Sequence, residues 1–260
     1  MLICTGILAY AQGSEWKTLN DEFISLYKQG RYDGAAVVAK KALQVAEQAA
    51  GHNRSAVATS LNNLALIYTY QGQYAQAEAL YQRSLAIYEK ALGPDHPDVA
   101  TSLNNLAELY RTQGQNALAE PLYERSLTIY QKALGPDHPD VATSLNNIAM
   151  LFSAQGQYAQ AEPLYKRSLE ICEKAPSRNH PDSAWILNNL ADLYYSQGQY
   201  AQAEPLYKRS LMIFEKTLGP DHPYVATSLE RMALLYRKIG RAMEAEVLQE
   251  RAEAIRAIKR

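Results

Sequence analysis

Apolar residues in this chain recur at helical spacing, and the helical pattern itself recurs. Leu103, Leu106, Ala107 and Tyr110 stand at i, i+3, i+4 and i+7, one apolar stripe along one face of a helix. Gly114 interrupts the stripe with a residue that tolerates positive φ at a turn. A second stripe of Ala119, Leu122, Tyr123, Ser126, Leu127 and Tyr130 ends at Leu134-Gly135-Pro136, a helix stop. Asp137-His138-Pro139-Asp140 then restarts a helix: Asp or His caps it, Pro occupies the first turn and Asp complements the dipole. One unit is thus a pair of antiparallel helices of roughly 17 and 19 residues joined by short turns.

The unit repeats. Gly30, Gly72, Gly114, Gly156, Gly198 and Gly240 are spaced by 42 residues, and Leu19, Leu61, Leu103, Leu145, Leu187 and Leu229 keep that interval in another phase. Six copies account for residues 16–260, with units over 16–54, 55–96, 97–138, 139–180, 181–222 and 223–260. Such a unit cannot bury both faces alone, so neighbours must stack, which predicts an all-α fold: an α-solenoid, a right-handed superhelix of six stacked helix-turn-helix repeats. The outer units depart from the pattern, the last carrying Glu230-Arg231 for Asn-Asn and a charged final helix. Pro121, Pro163 and Pro205 fall inside the second helix and predict a slight bend or a late start there.

The unit resembles the tetratricopeptide repeat, through Ala65, Tyr68, Gly72, Tyr74, Ala77 and Tyr81 and again through Ala149, Gly156, Tyr158, Ala161 and Tyr165. The long period and the segments LNNLA, QGQYAQAEPLY and ALGPDHPDVA are similar to the repeats of kinesin light chain and its bacterial relatives. The resemblance implies protein or peptide partners, although arrays of this kind serve many.

Composition narrows the classes. With 26 basic and 27 acidic side chains the net charge is −1, and 47% of residues are apolar, which argues against disorder, nucleic-acid binding and a membrane-surface protein. Cys4 and Cys172 cannot make a disulfide framework or a cysteine-based zinc site. The excess of 19 Tyr over 3 Phe has a structural explanation: Tyr81, Tyr123, Tyr165 and Tyr207 share one phase, where a ring packs between helices while its hydroxyl reaches a polar edge. Residues 1–15 form a leader. Leu2–Ala11 is too short to span a membrane and ends in Ala9-Tyr10-Ala11, so it reads as a truncated signal peptide or as an extra turn under the first repeat. An exported protein is expected over a cytoplasmic one, with no membrane insertion of the array.

Candidate chemistry is sparse. His52, His96, His138, His180 and His222 share one loop phase, where capping explains them better than metal binding, since equivalent loops lie ~10 Å apart. Ser84, Ser126, Ser168 and Ser210 have no histidine near them in the unit, and phosphate-loop and hydrolase motifs are absent. No catalytic residue, metal site or cofactor is expected. Asn62-Asn63, Asn104-Asn105, Asn146-Asn147 and Asn188-Asn189 are more telling, because Asn is a poor helix former and recurs mid-helix. The first of each pair is expected to bridge repeats. Asn63, Asn105, Asn147 and Asn189 are expected to line a concave groove with Thr101, Thr143 and Glu108; the alternative is that both asparagines serve packing or solvent.

The kinesin light chain resemblance implies that this second Asn helps hold an extended peptide. The preceding turn, basic in some of that family's repeats, holds Thr59, Thr101, Thr143, Trp185 and Thr227 here, so a preference for acidic cargo does not carry over. Leu66, Glu108, Met150, Asp192 and Leu234 follow the small helix-A residue, which argues against a two-carboxylate clamp. Trp185, Asp192 and Tyr195 on one helix form a candidate hot spot, with a packing ring as the alternative for Trp185. The expected function is a non-enzymatic scaffold for an extended peptide or partner helix, monomeric; the alternatives are a self-associating spacer or a sensor serving a separate ATPase chain.

Overall fold

The computed structural model describes residues 2–49, 54–174 and 181–258. Among these, twelve α-helices and no strands occur: α1 (Leu2–Lys28), α2 (Tyr32–Gln48), α3 (Arg54–Tyr70), α4 (Tyr74–Leu92), α5 (Pro97–Thr112), α6 (Asn116–Leu134), α7 (Pro139–Ala154), α8 (Tyr158–Lys174), α9 (Pro181–Ser196), α10 (Tyr200–Leu218), α11 (Pro223–Lys238) and α12 (Ala242–Ile258). Consecutive helices pair as antiparallel hairpins, the odd member A and the even member B. The chain divides into a unit of residues 1–135 and a unit of residues 136–260, each holding three hairpins. Within each, a B helix packs on the next A helix, so the hairpins stack.

The turns follow from local chemistry. Gly72 and Gly114 both sit at φ +74°, a left-handed conformation that a side chain would strain. His96, His138 and His222 cap α5, α7 and α11, each Nδ1 accepting the backbone N–H two residues on at 3.2 Å, with Pro in the first turn. His52 and His180 lie outside the described residues. Pro121, Pro163 and Pro205 lie inside α6, α8 and α10, and these helices begin five residues upstream of each proline, so the late start does not occur.

Small buried residues set the helix spacing. Ala77, Ala119, Ala161 and Ala203 have no exposed surface. Ser84, Ser126, Ser168 and Ser210 are equally enclosed and donate to the carbonyls of Ala58, Ala100, Ala142 and Ala184 at 2.6–2.9 Å, tying helix B to helix A of the same repeat. Tyrosine hydroxyls tie one repeat to the next: Tyr110 to Glu78 at 2.7 Å, Tyr194 to Glu162 at 2.9 Å and Tyr236 to Glu204 at 3.1 Å. Arg83–Glu47, Arg125–Glu89, Arg209–Glu173 and Arg251–Glu215 join successive B helices at 2.6–2.9 Å, but as exposed pairs each contributes little.

Candidate functional site

Helix A carries the paired asparagines, and the two members of a pair do different work. The first reaches the following repeat: Asn62 donates to Ser102 Oγ at 2.8 Å and Asn188 to Ser228 Oγ at 3.0 Å, all four side chains buried. The second reaches back: Asn63 donates to Asn20 Oδ1 at 2.9 Å and Asn189 to Asn146 Oδ1 at 3.0 Å. Asn147 accepts a long bond of 3.4 Å from Asn146. Asn105 differs. It is half-buried and its carboxamide meets no hydrogen-bond partner among the described residues, while the buried Asn62 Oδ1, which the pattern would pair with it, is also unpartnered. The Asn105 carboxamide is not sealed from solvent, so its donors and acceptor stay available to water or to a bound group.

The other candidate groove residues are already engaged. Exposed Thr101 donates to the Pro97 carbonyl at 3.2 Å and pairs with the Tyr130 hydroxyl at 2.7 Å. Thr143 donates to the Pro139 carbonyl at 3.2 Å. Glu108 takes Arg111 Nε at 2.8 Å, Arg111 Nη2 at 2.5 Å and the Tyr123 hydroxyl at 2.6 Å. Burial, together with that carboxylate, pushes the Tyr123 phenol well above its ordinary range. Asp192 pairs with Arg231 of the next repeat at 2.7 Å and accepts the Tyr207 hydroxyl; burial pushes its carboxyl up and these two partners pull it back. Trp185 packs edge-on against Phe214 and Tyr224, with ring centroids 5.2 and 4.7 Å away. Tyr195 tilts against Tyr200 at 5.5 Å.

Two hollows in the second unit gather these residues. Asp192, Tyr195, Ser196, Tyr207, Arg231 and Leu234 line one of about 180 Å³. Thr143 and Trp185 share another of about 210 Å³ with Asn146, Cys172, Asp182 and Ile186. Trp185 therefore does not join Asp192 and Tyr195 in one hollow. Sequence reasoning missed Arg231 as the counter-ion of Asp192, although its replacement of the usual Asn was visible. It also missed a hollow of about 490 Å³ in the first unit, where Arg54, Arg83 and Lys90 surround Val57 and Ile87 and Glu47 holds Arg83.

Among the described residues no cluster of three His, Cys, Asp or Glu could hold a metal ion, and no helix is long and apolar enough to cross a membrane. The three described histidines cap helices through Nδ1, and the four helix-B serines donate to backbone carbonyls.

A tetratricopeptide repeat model matches overlapping stretches over residues 24–90, 57–132, 98–174, 140–216 and 182–257. Among solved structures, the chain is similar to BtubC (BKLC) from P. vanneervenii at 26% identity and TM-score 0.73, over 88% of this chain and 92% of that one. It is 31% identical to a Podosopora anserina putative kinesin light chain with nearly identical TPR-like repeats, at TM-score 0.64, over 80% of this chain and 98% of that one. A Rap protein complexed with competence and sporulation factor shares the fold at 16% identity and TM-score 0.68, over 94% and 75%. No curated protein matches the chain.

Proposed function

The chain belongs to the tetratricopeptide repeat family, whose repeats generally mediate protein–protein interaction, and from that premise we propose that it is a non-enzymatic scaffold holding an extended peptide along its helix-A face. The family is typically non-catalytic, and the comparisons indicate no enzymatic family.

The observation that carries the peptide reading is the unpartnered carboxamide of Asn105. A primary amide offers two donors and an acceptor on one plane, the complement of a peptide group's C=O and N–H. Asn63 and Asn189 spend theirs on neighbouring repeats, so the same residue type has two roles: packing where a partner asparagine is reached, recognition where it is not. Within the second unit, the hollow of Tyr195 and Leu234 is an apolar surface of its own on the helix-A side.

Peptides selected from a random displayed library on the full chain test this. Asn105→Ala should weaken them roughly tenfold, the loss of charge-free paired hydrogen bonds, with the urea midpoint unchanged. Asn63→Ala should lower the midpoint instead, because it removes an inter-repeat bond. Selected peptides that bind Asn105→Ala as well as the parent chain would refute the reading.

A further inference from the structure

Periodicity gives each position counterparts in other repeats, so a place where several counterparts change together stands out. In the second and third repeats a tyrosine late in helix B seats its hydroxyl on a helix-A threonine: Tyr88 on Thr59 at 2.6 Å and Tyr130 on Thr101 at 2.7 Å. Thr101 meanwhile donates to the Pro97 carbonyl, so the phenol supplies the proton in that pair. The fourth repeat holds Cys172 in the tyrosine phase, and the helix that follows opens with Trp185 and Ile186 where its predecessor has Thr143 and Ser144.

These departures meet at one place. Cys172, Trp185 and Ile186 enclose, with Thr143, Asn146 and Asp182, the hollow of about 210 Å³. Thr143 donates to Pro139 as Thr101 does to Pro97, keeping the lone pairs that Tyr130 uses on its own threonine. Asp182 stands in the phase of Asp98, whose charge acts on the Tyr88 phenol. Asn146 records the loss of serine: the amide N–H groups of Asn62 and Asn188 reach Ser102 and Ser228, but that of Asn146, with Ile186 in that phase, finds only Asn147 and Met150 at 3.4 Å, while its Oδ1 accepts from Asn189.

We propose that this hollow is a receptor for a phenol ring, filled by a tyrosine side chain of the bound peptide. The fold contains the template twice, in Tyr88 and Tyr130, and omits the ring here. A cavity of about 150 Å³ with apolar walls takes up benzene, so the size suffices. Cys172, Trp185 and Ile186 supply the walls, and Thr143 accepts the phenolic O–H. Burial, with Asp182 and Glu173 nearby, pushes the Cys172 thiol up to about 11, so it is a protonated wall and not a nucleophile.

The tyrosine's place in a peptide rests on the peptide-groove reading; the affinity for a phenol does not. Titration of the full chain with p-cresol and with toluene, followed at the Trp185 indole N–H in proton–nitrogen correlation spectra, separates the two. The Trp16 indole, bonded to Ser60 at 2.8 Å in the other unit, is the internal control. Saturable binding of p-cresol, roughly threefold or more tighter than toluene, is expected, and Cys172→Tyr should abolish it by filling the space. Thr143→Val, which keeps the hollow open, should reduce p-cresol to the level of toluene. Absence of saturation at Trp185, or equal binding by Cys172→Tyr, overturns the proposal. Asn105→Ala should leave p-cresol binding intact, so a failed groove reading does not register in this titration.

Discussion

Single residues act here through what they touch in the neighbouring repeat, and Glu204 shows how much one contact set can shift. Its carboxylate meets Lys208 at 2.7 Å, Arg241 at 2.8 Å and the Tyr236 hydroxyl at 3.1 Å, which hold its pKa down to about 2 from 4.5. A folded-state value below the unfolded one contributes stability above pH 4.5, and that contribution is lost as pH falls toward 2. Discounted for solvent at the two partly exposed cations, it amounts to about 1 kcal/mol. Glu204→Gln should therefore lower the urea midpoint at pH 7, and the gap to the parent chain should close between pH 4.5 and pH 2; a gap independent of pH would refute the assignment. Such ties were only half legible in the sequence. The tyrosine excess announced buried rings with polar edges, but which acid each ring meets depends on how repeats stack. The asparagines show the same limit: Asn63, Asn105 and Asn189 are identical in phase, yet only Asn105 lacks a partner among the described residues. Identical letters do not guarantee identical bonding.

Helices, by contrast, were read almost directly, because their signals are local. Apolar periodicity gave the faces, glycine the turn between A and B, and Asp-His-Pro-Asp the start of the next A helix. What the letters left open was which side chain caps, Asp or His, and the geometry selects the imidazole through Nδ1. His138→Ala should cost about 1 kcal/mol in equilibrium unfolding, while His138→Asn, which restores an acceptor at the cap, should stay within a few tenths. Equal losses in both variants would mean that packing and not the cap holds that position. The late helix start expected at the prolines does not occur, for a physical reason. Only one backbone bond is forfeited near the helix start, and the tie from Ser126 to the Ala100 carbonyl and the fully buried Tyr123 hold α6 against its own helix A. Pro121→Ala, as in the second repeat's Ala79, should leave stability unchanged or raise it slightly, read as the thermal midpoint.

At the scale of the whole molecule, stability is a sum over repeats and their shared interfaces, so the flank of a repeat decides whether anything else can stack on it. Tyr207, Leu211 and Phe214 of α10 pack toward the next A helix, Phe214 lying 5.8 Å from Tyr224. In the same phases α12 carries Gln249, Glu253 and Arg256, with Gln249 bonded to Glu253 at 2.9 Å and Arg256 turned onto Glu230 at 2.6 Å. The backbone is as helical as in α10, so only side-chain polarity distinguishes a stacking flank from a solvated one. Desolvating an acid and a guanidinium without new partners opposes docking, whereas an apolar flank favours it by roughly 25 cal/mol per Å² covered. Converting the three positions together, Gln249→Tyr with Glu253→Leu and Arg256→Phe, should therefore make the average mass in sedimentation rise with concentration, while the parent chain's does not. If the triple variant sediments like the parent across the series, flank polarity is not what limits stacking, and the additive picture of the array would have to give way to one in which backbone curvature sets it.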